Sequence, residues 1–261
     1  MSAAPTLELN GLCVAYGGLR AVDDVSLQVP CEGITGLIGP NGAGKTTLID
    51  AVTGFAPVTG GSISFGGRDI TRMRAHRRAL SSLTRTFQSL ELFEDMTVAD
   101  NVRVTTESSQ WWRSLADVIL RWRAKDSADV AWALELLELD AVADHLPSSL
   151  SQAERKSVAL ARAIVARPAL LMLDEPAAGL DRFETEKLGE RLRQLASSGP
   201  GLLLVDHDMA LVLTVCDYVH VLDAGRLIAS GTPAEIRGNP DVLRSYLGED
   251  PVAIEPSGGA R

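Results

Sequence analysis

The sequence predicts an α/β protein in which a parallel sheet is interrupted by an inserted helical stretch, and three observations carry that prediction. ALLMLDEP and GLLLVDHD are continuous apolar runs of the kind found in parallel strands buried on both faces. A glycine-rich segment lies between the apolar run GITGLIG and the helix-like stretch GKTTLIDAVTG. Between Leu90 and Ala166 the apolar residues change to helical spacing, an insertion long enough to need a purpose of its own.

Taken in order, LELNGLCVAYG and LRAVDDVSLQV alternate apolar and polar residues, as half-buried strands do. GITGLIG is a short buried strand, and the helical stretch after it stops at Gly54. GGSISFGGRDI reads as a further hairpin. The helical stretch contains WWRSLADVILRW, VAWALELLELDAVADHL and RKSVALARAIVA. Strand and helix alternate again from ALLMLDEP onward. In TPAEIRG, Thr232 is placed to cap a helix, with Pro233 at its first position and Glu235 completing a capping box. The closing IEPSGGAR is expected to fray. There is no internal repeat and no low-complexity segment.

At roughly 150 residues per domain, a chain of 261 residues makes one large domain or two lobes. Hydrophobic residues at 46% and charged residues at 23% exclude general disorder and allow a sizeable core. A net charge of −9 argues against nonspecific nucleic-acid binding, which draws its affinity from clustered positive charge. Cys13, Cys31 and Cys216 form no CxxC pair, so neither a zinc site nor a disulfide framework is indicated, and a reducing cytosol is expected. MSAAPTLELNGL lacks the pattern of a secretory signal, and no apolar window is long enough to span a bilayer.

GPNGAGKT matches G-x-x-x-x-G-K-[ST] in full, a match that chance supplies in roughly one chain in a hundred of this length. The glycines let the backbone curl so that successive N–H groups converge on a phosphate, and the following helix adds its positive N-terminal end. Gly39, Pro40, Asn41, Gly42, Ala43, Gly44, Lys45, Thr46 and Thr47 are therefore the candidate residues for binding a nucleoside triphosphate. Lys45 is placed to reach the β- and γ-phosphates, and the Thr46 hydroxyl to ligate Mg²⁺.

LLMLDEP ends a buried strand with two acids whose side chains point to opposite sides. Asp174 is the candidate to hold Mg²⁺ through water, and Glu175 to polarise the water that attacks the γ-phosphate. An acidic turn punctuated by Pro176 is the bland alternative, and the phosphate loop in the same chain weighs against it. His207, in VDHD at another strand end, can hold that water or contact the γ-phosphate. Gln88, at the end of LTRTFQ, is the candidate to complete the metal shell and sense the γ-phosphate, although a glutamine there means little by itself.

These motifs together resemble the ATP-binding cassette family over nearly the whole chain. The phosphate loop, Gln88, the helical insertion, Leu150-Ser151, LMLDEP, the AAGLD stretch ending at Asp181, and His207 come in that family's order. The resemblance implies a P-loop (RecA-like) ATPase core with an antiparallel β subdomain and an inserted α-helical subdomain. It implies one ATPase domain over 6–246, with its core at 6–89 and 166–246, a helical subdomain at about 90–165, and a flexible tail at 247–261. It implies further that two such subunits pair head to tail, each ATP held by one subunit's phosphate loop and the other's signature segment. Ser151, Ala153 and Asp181 would then face the partner's nucleotide, and Tyr16 falls where the family places an aromatic on adenine.

Within the family the sequence is most similar to ATP-binding subunits of branched-chain amino-acid importers. LTRTFQSLELFEDMTVADNV, the WWRSLADVILRW insertion, and HDMALVLTVCDYVHVLDAGRLIASGTPAEIRGNPDVLRSYLGED carry that likeness. The ATPase of lipopolysaccharide export is a second similar group and shares the closing YLGED. The implied partners are a second ATPase subunit (the same chain or another), transmembrane permease subunits and, indirectly, a solute-binding protein. The implied location is cytoplasmic, peripheral on the inner face of the cell membrane, with no nucleic acid bound.

The signature departs from the family's LSGGQ and reads LSQAE, Leu150 to Glu154. Ala153 replaces the second glycine. That glycine lets a helix N-terminus approach the partner's γ-phosphate, and a methyl there costs closeness. The cost is on the order of 1–2 kcal/mol more if the backbone needs φ > 0, so an asymmetric heterodimer with one weaker site is expected. A nearly neutral Ala153 is the alternative. A regulatory cassette with little hydrolysis, or a nucleotide-switched protein acting on ribosomes or DNA, are the rivals from other classes. The basic run Arg68 to Arg85 reads first as a solvated face. Trp111, Trp112, Trp122 and Trp132 fall in the helical lobe, as core or as docking surface, and Leu92-Phe93 is expected near the permease groove.

Overall fold

The computed structural model describes residues 5–86, 92–105 and 128–247. β1 (Thr6–Tyr16) and β2 (Leu19–Pro30) form a long antiparallel hairpin. β3 (Ile34–Ile38), buried at every position, runs into the phosphate loop and α1 (Lys45–Thr53), which Gly54 ends. β4 (Gly60–Phe65) pairs with β1 and with the short β5 (Arg68–Asp69), as the hairpin reading of GGSISFGGRDI expects. After α2 (Ala75–Ala79), β6 (Leu83–Arg85) joins the second sheet.

The helical lobe holds α3 (Val98–Arg103), α4 (128–136) and α5 (Gln152–Ile164). The stretch VAWALELLELDAVADHL does not run as one helix. Glu138 takes φ 54, which ends α4, and the chain continues as a 3₁₀ turn at Asp140–Val142. WWRSLADVILRW, with Trp111, Trp112 and Trp122, lies outside the described residues, as does the tail from 248. Trp132 is partly buried against the lobe's core, and the Arg167 guanidinium stacks on its ring.

Beyond the lobe come β7 (Leu170–Asp174), α6 (Arg182–Ser197), β8 (Gly201–Val205), α7 (Met209–Val215), β9 (Tyr218–Asp223) and β10 (Arg226–Gly231). Two short helices follow, α8 (Pro233–Arg237) and α9 (Pro240–Leu247). The capping box expected at Thr232 and Glu235 is present. No helix among the described residues is long and apolar enough to cross a membrane.

The larger sheet runs β10-β9-β3-β8-β7-β6, with parallel pairing throughout except at β9–β10. Alternation along β7 sends Leu170 and Met172 into one core and Leu171 and Leu173 into the other. The first core joins that face to α1 and the β1–β2–β4 sheet, and the second joins the opposite face to the helical lobe. Each fully buried leucine contributes about 1.5–3 kcal/mol. In register, Leu37 stands opposite Val205, and Val205 opposite Asp174. The residues that follow these three strands therefore emerge together along the sheet's carboxyl edge, where open α/β sheets bind ligands.

Candidate nucleotide site

The phosphate loop is held by its own backbone. A side chain at Gly39, φ 153, would come within 2.1 Å of the Leu222 carbonyl oxygen. At Gly44, the N-cap of α1 with φ 98, it would come within 2.4 Å of the Ala21 carbonyl oxygen. Both positions combine a left-handed backbone with a close approach, so only glycine fits. Lys45 is buried, and its Nζ donates to the Gly39 carbonyl at 2.6 Å and the Pro40 carbonyl at 3.0 Å. The ammonium thus folds back onto the first two residues of the loop. A cavity of about 370 Å³ is lined by Asn41, Gly42, Ala43, Gly44, Lys45, Thr46 and Thr47, with Glu175 opposite and Leu19, Arg20 and Ala21 at its side.

Asp174 ends β7 with its side chain buried, and it does not line the phosphate-loop cavity. Its Oδ2 accepts from Arg85 Nη2 at 2.7 Å, while Oδ1 is buried with no hydrogen-bond partner among the described residues. The other arm of the Arg85 guanidinium, Nη1, bonds Asp50 on α1. Glu175 leaves the strand with φ 48, a left-handed conformation that costs a non-glycine residue of order 1–3 kcal/mol. Its N–H donates to the Val205 carbonyl at 2.7 Å, which holds the turn against β8. Asp206, wholly buried, accepts from the Ala177 N–H at 3.2 Å and the Asp208 N–H at 3.0 Å, joining the loops that carry Glu175 and His207.

Ser151 and Asp181 are N-caps of α5 and α6, and each closes a capping box, with Glu154 and Glu184 respectively. Ala153 lies inside α5 and is not among the residues with positive φ, so the backbone cost attached to its methyl does not arise. A hydrogen bond to the Ser151 N–H holds the Glu154 carboxyl below its ordinary pKa. Lys156, one turn into α5, donates to the Pro176 carbonyl at 2.8 Å and to the Ala178 carbonyl, tying the helical lobe to the loop after Glu175. Burial lowers its pKa, against the opposing pull of Asp206 and Glu175. A second cavity, about 430 Å³, is lined by Ser151, Ala153 and Asp181 together with Asp174 and Glu175, and by no residue of the phosphate loop.

The structure therefore brings the phosphate loop and Glu175 around one cavity. His207 stands beside Glu175, and Ser151, Ala153 and Asp181 gather on another face. Tyr16 ends β1, half exposed, and does not line the phosphate-loop cavity. Gln88 lies outside the described residues. Arg85, Asp206 and Lys156 were not anticipated as parts of this region. Each has a partner 20 or more residues away in the chain, which no local pattern announces. The loop's convergent backbone and the unpartnered Asp174 oxygen suit a polyanion with a hydrated divalent cation.

A glycine-rich loop between a buried parallel strand and its helix, facing an acidic strand end, defines a P-loop nucleotide-binding protein. Residues 22–178 match the family described as ABC transporter, and residues 226–252 match the branched-chain amino acid ATP-binding cassette transporter family. The chain belongs to the ABC transporter family, as an ATP-binding cassette ATPase. It is 41% identical over 252 residues to the high-affinity branched-chain amino acid transport ATP-binding protein LivG of Salmonella typhimurium, covering 94% of this chain and 98% of that protein. It is 36% identical over 245 residues to the lipopolysaccharide export system ATP-binding protein LptB of Escherichia coli, with the same coverage. Among solved structures it resembles the ADP conformation of MJ1267, an ATP-binding cassette of an ABC transporter. That likeness has a TM-score of 0.81 and 26% identity over 95% of this chain and 100% of that one.

Proposed function

We propose that this chain is the ATP-hydrolysing subunit of an importer for branched-chain or related amino acids, seated on the cytoplasmic face of a membrane through separate permease subunits. Likeness to LivG over nearly the full length of both chains, together with the match at 226–252, supports the importer over lipopolysaccharide export. The division into a core at 6–89 and 166–246 and a helical subdomain at about 90–165 is part of this reading.

The observation that carries the mechanism is Glu175 facing the phosphate loop across one cavity. Loop amides and Lys45 bind and orient the ATP phosphates. Thr46, Asp174 and Gln88 would hold Mg²⁺, which would supply charge neutralisation for the phosphates. Glu175 takes a proton from a water whose oxygen attacks the γ-phosphorus as the bridging oxygen leaves with ADP. His207 fixes the position of that water and of the γ-phosphate, and Tyr16 flanks the adenine. Ser151, Ala153 and Asp181, grouped away from the chain's own loop, suit contact with the nucleotide of a second ATPase subunit. Closing that pair would rearrange the permeases and move solute that a binding protein delivers.

ATPase turnover in proteoliposomes containing the chain, its permeases and their binding protein tests this reading. Leucine, isoleucine or valine inside the binding protein should raise turnover. Stimulation by lipopolysaccharide with indifference to amino acids would contradict it.

A further inference from the structure

Arg85 is a buried cation that stands outside the phosphate-loop cavity yet touches both elements that frame the metal candidates. It is the last residue of β6, and its side chain is 8% exposed. One arm of its guanidinium bonds Asp174 and the other bonds Asp50. Asp50 lies one turn beyond Thr46 on the same face of α1. Gln88 follows Arg85 by three residues in the chain. A single planar group therefore ties the helix of Thr46 to the strand end of Asp174, at the root of the segment that leads to Gln88. A guanidinium can bond two carboxylates at once in fixed directions, which a lysine ammonium, a point charge on a flexible stem, does not reproduce.

The bond occupies Oδ2 of Asp174 and leaves Oδ1 without a hydrogen-bond partner among the described residues. The carboxylate is thus orientated by one oxygen, with the other left for a metal-bound water. From this we infer that Arg85 is a positioning residue for the Mg²⁺ site, acting through Asp174 and braced by Asp50. It touches neither the nucleotide nor the metal. The inference rests on the proposed ATP site, and it adds that the site's metal dependence is set from β6.

The test is a Mg²⁺ titration of fluorescent ATP-analogue binding to the full chain, with a parallel nucleotide titration in EDTA. Removing an outer partner of a metal-site carboxylate characteristically costs 10–100-fold in metal affinity. Arg85→Met should accordingly raise the half-saturating Mg²⁺ concentration at least about tenfold, and leave metal-free nucleotide binding within about twofold. Arg85→Lys should recover part of the shift. Asp50→Asn, which removes only the brace, should move it the same way by less, and it carries the test if Arg85→Met fails to fold.

Arg78 is a second buried arginine, and it bonds the Ala51 and Val52 carbonyls at the end of α1. Arg78→Met should lower the thermal midpoint without moving the Mg²⁺ dependence. Equal losses with and without Mg²⁺ in Arg85→Met would make Arg85 a mere structural tie and overturn the inference. An unmoved Mg²⁺ midpoint in folded Arg85→Met or Asp50→Asn would overturn it too. Failure of the unaltered chain to bind nucleotide under either condition would instead remove the ATP reading itself.

Discussion

Nδ1 of His207 lies 3.8 Å from Oε1 of Glu175 and 3.7 Å from Oδ1 of Asp206. The ring is more than half exposed, while Asp206 is buried, so the imidazole is carried on a loop whose base is fixed. Replacing His207 with Ala should lower kcat by about 10²-fold with little change in the KM for ATP, as expected for a group that acts in the transition state. Steady-state kinetics checks this, and a rise in KM alone would assign the ring to ground-state binding.

Glu175→Gln keeps the shape of the side chain and removes its ability to take a proton. Turnover should fall by roughly 10²–10⁴-fold while MgATP binding is retained. Single-turnover phosphate release, measured beside equilibrium binding, separates the two. Full turnover in the variant would place the base elsewhere.

Asp206→Asn leaves one acceptor oxygen where two N–H groups converge from Ala177 and Asp208. The substitution should cost roughly 1–3 kcal/mol of stability in urea denaturation and slow turnover through the displaced Glu175 loop. ATP affinity, set by the phosphate loop, should remain. An unchanged kcat would mean that the two strand-end loops do not need each other.

Leu171 is fully buried where the parallel sheet meets the helical lobe's core. Leu171→Ala should cost about 2–5 kcal/mol, read as a lower denaturant midpoint. A loss below about 1 kcal/mol would mean that the two packed layers close over the gap.

His220 sits buried between β2 and β10. Because the Gln28 carbonyl can only accept, Nε2 carries the proton and donates to it at 3.0 Å, while Nδ1 accepts from the Ser230 hydroxyl at 2.7 Å. Burial is the main cause that holds its pKa below the ordinary 6.5, against the opposing effect of the Gln28 bond. The unfolded chain therefore binds this proton at higher pH than the folded one. The stability contribution is complete above pH 6.5 and is lost as pH falls from there through the folded-state pKa. Urea midpoints for the wild type and His220→Gln across about pH 5 to 7.5 should show a flatter acid limb in the variant. Parallel limbs would assign the acid sensitivity to other groups.

The phosphate loop, the strands of ALLMLDEP and GLLLVDHD and the capping box at Thr232 were legible because each is a local pattern of neighbouring residues. Asp174 and Glu175 were legible as a strand-end pair, but the turn at Glu175, φ 48, was not, since it is held in part by a bond to Val205, 30 residues further along the chain. Arg85 meets partners 35 and 89 residues away, and Asp206 reaches back 29 residues, separations that spacing does not encode. The helical spacing of 130–146 concealed the break at Glu138, because a left-handed residue leaves the apolar pattern intact. The signal for α5 was present but unused: Ser151 and Glu154 stand in capping-box spacing, which starts the helix at Gln152 and places Ala153 within it.

The most direct test is equilibrium binding of ATP with Mg²⁺ to the full chain and to Lys45→Ala. The wild type should bind, and the variant should bind at least about tenfold more weakly, the loss expected of a charge-assisted phosphate contact. Equal binding by the two proteins, or none by the wild type, would contradict a phosphate site in this loop.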